Sequence, residues 1–156
     1  MGGGQLIIVL APRDADIVRN SRAQSFNFPE IYGETYIAGE DAIPQLGAGE
    51  DVFFVGHGVV VGDSGNAEIG DEDGAFAVNG IELWQQFEDI FPDMYQGSVY
   101  IDACHSADFP DDAFSVIETF KSQSAIGLGD TQVFGRTGDP VGDIPRPDAV
   151  NTWFEA

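Results

Sequence analysis

The sequence predicts an α/β domain with a mostly parallel central sheet and helices on both faces. Three observations lead there. Residues 5–10 (QLIIVL), 51–56 (DVFFVG) and 98–103 (SVYIDA) are short runs, apolar on both faces, as in strands covered from each side. Between them, apolar residues recur at helical spacing: Ile81, Trp84, Phe87 and Ile90 or Phe91, then Phe114, Ile117 and Phe120. At 156 residues with 43% hydrophobic content, the chain suits one domain with a real core.

The elements follow in order. Residues 5–10 form the first strand, ended by Ala11-Pro12, and residues 14–24 a weakly periodic helix. Residues 34–38 (ETYIA) form a second strand, followed by a turn at Pro44, Gly47 and Gly49. The third strand, 51–56, leads into Gly56-His57-Gly58; residues 59–61 continue extended, and 62–74 form a Gly- and acid-rich loop or hairpin. Residues 75–78 read as a short strand, and Asn79 as the cap of a helix closed by Pro92. The fourth strand, 98–103, ends at Cys104; Asp111 or Asp112 is expected to cap the next helix. Residues 124–128 (SAIGL) read as the fifth strand, and 148–154 as a last helical turn. A single domain over 1–156 is expected, with 1–4 a flexible start or a cloning scar. No repeat or linker is evident.

Composition narrows the function. Asp and Glu total 27 against 6 Lys plus Arg, a formal net charge of -21. Such a surface repels phosphate backbones and anionic bilayers, so neither nucleic acid nor membrane is an expected partner. The acidity reads first as a solubility or high-salt feature and second as steering of basic substrate segments. The one cysteine, Cys104, leaves no internal disulfide to expect. No leader-like or bilayer-spanning run is seen, and a cytoplasmic location is expected.

Two reactive residues stand at strand ends, where open α/β sheets bind their ligands. His57 follows the third strand and Cys104 the fourth. If those strands are neighbours, the imidazole can take the thiol proton or stabilise the thiolate, which is the nucleophile. Gly58 lets the backbone approach a bound carbonyl, and its N–H with that of Cys104 would form an oxyanion hole. His105 alternates to the other face of an extended strand and is the poorer partner. A zinc site needs more ligands than one Cys and two His supply.

The segments Gly56-His57-Gly58 and Asp102-Ala103-Cys104-His105-Ser106, each closing an apolar strand, resemble the clan of caspases, metacaspases, legumains and related bacterial peptidases. The second is closest to the metacaspase form, with Ala107 where that motif usually has Gly. The resemblance implies a caspase-like fold and peptide-bond hydrolysis, with Cys104 as nucleophile and His57 as general acid/base, the two often acting without a third residue. It also implies that Asp102 lines the S1 pocket and selects Arg or Lys, with Asp14 or Asp16 as a second pocket acid. Asp102 and Cys104 lie two apart, which puts them on one face of a strand. The competing role for Asp102 is a structural carboxylate bonded to loop N–H groups. No cofactor is expected, although metacaspases are often calcium-dependent. The acidic loop offers Asp63, Asp71 and Asp73 as calcium candidates, yet lacks an EF-hand pattern and reads as a solvated loop. Lys121, taken to end the helix before the fifth strand, is the expected self-cleavage point. The partner is a protein or peptide substrate, with no oligomeric state indicated. Two alternatives stand beside the peptidase. One is a catalytically silent caspase-like interaction module. The other is an unrelated binding domain with His57 and Cys104 far apart.

Overall fold

The computed structural model describes residues 5–59, 67–71, 77–103, 115–136, 144–149 and 152–156. Among these, six strands form one sheet in the order β2-β1-β3-β7-β8-β9. They are β1 (Leu6–Val9), β2 (Glu34–Ile37), β3 (Val52–Val55), β7 (Val99–Asp102), β8 (Val133–Gly135) and β9 (Phe154–Glu155). The first five are parallel and β9 is antiparallel to β8. A second, antiparallel sheet joins β4 (His57–Val59), β5 (Glu68–Gly70) and β6 (Ala77–Asn79).

Both faces of the main sheet are covered, as the double-sided apolar strands require. On one face Ile8, Val52, Phe54 and Ile101 pack with Leu83, Phe87 and Phe120 of helices α3 (Gly80–Phe87) and α4 (Val116–Leu128). On the other, Ile7, Val9, Phe53 and Tyr100 meet Ile17, Val18 and Tyr32 from α1 (Ala15–Asn27) and α2 (Pro29–Tyr32). Phe53, Tyr100 and Phe134 sit opposite one another on consecutive strands, and their rings stack at 5.0 and 5.1 Å. Such cross-strand aromatic pairs strengthen the sheet where three parallel strands must stay in register.

The helix starts follow from local chemistry. Asn79 and Glu82 form a reciprocal capping box at α3, and Ser115 and Glu118 form another at α4. Ser115 therefore caps α4; the expected caps Asp111 and Asp112, with Phe114 of the apolar stripe, lie outside the described residues.

Three further expectations change. Residues 124–128 are not a strand but the last turns of α4, which Gly129 terminates at a φ of +72°. Ser124 is fully buried and Ile126 is 84% exposed, a pattern set by the helix rather than by a covered strand. The next strand of the sheet is β8, at Val133–Gly135. Phe154–Glu155 form strand β9, and residues 150–151 of the helical turn expected at 148–154 lie outside the described residues. Lys121, expected at a helix end, lies inside α4, and its Nζ donates to the Thr131 carbonyl. The hydrogen-bonded helix around it does not offer an exposed chain for cleavage.

Helix α3 lies against α4 at Gly80. A Cβ there would come within 2.2 Å of Thr119 Oγ1 and 2.3 Å of the Val116 carbonyl oxygen. Gly80→Ala should therefore destabilise the fold at or beyond the upper end of the roughly 1–3 kcal/mol typical of overpacking. Urea unfolding checks this; an unchanged midpoint would refute the close packing of the two helices.

Candidate active site at the strand ends

The strand order reverses between β1 and β3: from β1 the chain goes to β2 on one side and then to β3 on the other. The crevice beyond the carboxyl ends of such a strand pair is the usual ligand site of open α/β sheets. Asp14 follows β1 and His57 follows β3, so both arrive at this switch point.

Their side chains meet. His57 Nε2 lies 2.5 Å from Asp14 Oδ2, and the two side chains are 29% and 23% exposed. The other oxygen, Asp14 Oδ1, accepts from the backbone N–H groups of Asp16 at 2.9 Å and Ile17 at 3.1 Å, capping α1. Burial opposes ionisation of Asp14. The hydrogen bond from His57, those from the Ile17 and Asp16 amides and the His57 charge outweigh it, so the carboxyl lies below its usual range. In the tautomer that donates from Nε2 to Asp14, the lone pair of the imidazole lies on Nδ1.

Backbone contacts fix this pair. Gly56 donates its N–H to the Asp102 carbonyl at 3.2 Å. A Cβ on Gly56 would fall 2.9 Å from Ile69 Cγ1, so glycine permits β5 to lie close beneath the turn. His57 opens β4 opposite Gly70, and the neighbouring Asp71 accepts the Arg13 N–H at 3.1 Å. The sequence 13–14, the 14–57 pair, the 57–70 strand pairing and the 71–13 hydrogen bond close a ring around His57. Asp71, a calcium candidate on sequence, is 3% exposed and serves this ring. Asp63 and Asp73 lie outside the described residues, and among the described residues no cluster of three metal-ligating side chains occurs.

The remaining candidates divide. Gly58 is the middle residue of β4, opposite Ile69. Asp16 is exposed with its carboxylate paired to Arg19; it reaches Asp14 through its backbone N–H. Cys104 and His105 lie outside the described residues; Ala103, which precedes them, is 3% exposed. Asp102 closes β7 and pairs in register with Val55 of β3. Its carboxylate accepts from Arg136 Nη1 at 2.8 Å, with the side chains of Arg136 and Asp102 15% and 11% exposed. Arg136 also lies over the Trp153 ring at 5.8 Å. Burial pushes the Asp102 carboxyl up to about 6, although the Arg136 charge and hydrogen bond pull downward.

Two partnerships were not anticipated from sequence: Asp14 with His57, and Arg136 with Asp102. The usable signal was positional. Asp102 ends a strand of the same parallel sheet and Asp14, His57 and Arg136 follow strands of it, so all four lie toward its carboxyl edge.

The two roles of Asp14 are separable. Both variants lose the His57 contact, but Asp14→Ser keeps a side-chain oxygen for the α1 amides and should be more stable than Asp14→Ala by about 1 kcal/mol. Both should abolish the single-tautomer 15N NMR signature of the His57 ring. A ring signature unchanged in Asp14→Ser would mean that Asp14 does not orient the imidazole. For Asp102 the raised folded pKa means that the folded state binds the extra proton. Its contribution to stability is thus full below pH 3.8 and declines as pH rises to about 6. Across that window Asp102→Asn should gain roughly 2–3 kcal/mol relative to wild type. Parallel stability profiles of the two proteins in urea would contradict the shift.

Compared with family models, curated proteins and solved structures, the chain matches none.

Proposed function

We propose that this chain is a cysteine endopeptidase of caspase-like fold in which Cys104 is the nucleophile and His57 the general acid/base. The observation that supports it is the parallel, in-register pairing of β3 with β7, the strands that lead to His57 and to Cys104. The Asp14–His57 contact adds a carboxylate that holds the imidazole.

In the proposed reaction His57 Nδ1 takes the thiol proton, and the Cys104 sulfur attacks the scissile carbonyl carbon. The oxyanion is received by the N–H groups of Gly58 and Cys104; such donors are worth about 3 kcal/mol each in the barrier. His57 then protonates the leaving amine. Water, activated by the same imidazole, hydrolyses the thioester and restores the thiol. Asp14 stabilises the imidazolium formed in each half-reaction, as the third residue of a triad does. The substrate is a protein or peptide, with Arg or Lys preferred at P1 through Asp102. A substrate guanidinium would replace Arg136 at that carboxylate.

The alternative is a silent interaction module of the same fold. One observation favours it: Asp102 already holds Arg136, which would fill a basic-residue pocket from within.

A peptidyl acyloxymethyl ketone with Arg at P1 separates the two. Intact-mass analysis should show one adduct on wild type, none on Cys104→Ala, and ~10²–10⁴-fold slower labelling of His57→Ala. Arg136→Ala should label faster than wild type if Asp102 selects the basic residue. No adduct with any P1 residue would leave the module as the reading.

A further inference from the structure

Half of the chain's six cations line one groove. It has a volume of about 500 Å³ and lies between α1, the β1–α1 loop and the end of β2, with Arg13, Arg19, Arg22, Ile37 and Glu40 among its walls. Arg13, Arg19 and Arg22 thus line one groove together with Glu40, on a molecule whose formal net charge is -21. Neither His57 nor Asp14 lines this groove.

General solubility does not account for this grouping. Arg19 and Arg22 are three apart on α1 and share a face, where like charges repel. Dispersal among 27 acidic residues would relieve that repulsion. The pairing of Arg19 with Asp16 joins two well-exposed side chains, 69% and 76% accessible, so an incoming anion competes with it readily. Guanidinium groups present planar, paired N–H donors that match carboxylate and phosphate oxygens. The groove volume lies within the range of small-molecule sites and exceeds what one oxyanion fills. We propose that the Arg13–Arg19–Arg22 groove binds a small multivalent oxyanion, a polycarboxylate or a phosphorylated compound, at a site separate from His57. This holds whether or not the chain hydrolyses peptides.

The test is calorimetric titration of the full chain with inorganic pyrophosphate and, separately, with citrate. Saturable binding of at least one is expected, weakening as salt is raised. Arg19→Gln and Arg22→Gln should each weaken it ~10-fold or more, the scale of one charge-assisted contact. Arg19 and Arg22 are exposed, so these changes leave the core untouched. Arg146→Gln, in a different groove, should bind as wild type does. The tighter of the two anions identifies the phosphate or carboxylate class. Failure of both to saturate overturns the proposal, as does an equal loss in Arg146→Gln, which would mark diffuse attraction instead of a site.

Discussion

Strand β3 is paired along all four of its residues to β1 on one side and to β7 on the other, with Phe53 opposite Ile7 and Tyr100 at once. The carboxyl ends of the three strands are therefore level, and whatever follows each strand emerges beside its neighbours. Phe53 and Phe54, both fully buried, point to opposite faces and anchor the strand between the two helical layers. A slip of one residue would exchange those faces and move His57 away from Asp14. The position of the imidazole is thus a consequence of core packing more than of the loop that carries it.

At this edge two aspartates show how neighbouring environments drive carboxylates apart. Asp14 takes hydrogen bonds on both oxygens from a helix start and an imidazole, and these outweigh its desolvation. Asp102 is more deeply enclosed, and burial outweighs even the Arg136 guanidinium. One carboxyl is held ionised beside an imidazole; the other is drawn into the range where it can exchange protons. The same ledge is knitted to the second sheet through Asp71, which spends its buried carboxylate on the Arg13 amide. All five arginines line one of two grooves on the α1 side of the sheet, whereas the sixth cation, Lys121, lies on α4 across the sheet.

The strands most legible in sequence are those buried on both sides, although the half-exposed β2 was also read as a strand from residues 34–38. Residues 6–9, 52–55 and 99–102 leave no helical reading, because their apolar runs are too short for a helix and bounded by turn residues. Residues 124–128 were misread because a short, small and apolar run fits either period. The Ser115–Glu118 capping box starts α4 eight residues and more before them and propagation carries the helix through. Strand β8 was missed for the opposite reason: Val133–Gly135 is three residues long, and its identity as a strand comes from the partner it finds in β7. Strand β9, paired only to β8, depends on that edge in turn.

The sequence by itself determined the α/β class, the helix layers and the placement of His57 and Asp102 at strand ends, because periodicity and turn residues are local properties. Only the tertiary structure decided strand order, and with it which strand-end residues meet. Asp14 and His57 are 43 positions apart, Asp102 and Arg136 are 34 apart, and Arg13 and Asp71 are 58 apart. No local pattern encodes such pairings. They arise because parallel strands in register deliver distant residues to one edge, where each buried charge must find a partner.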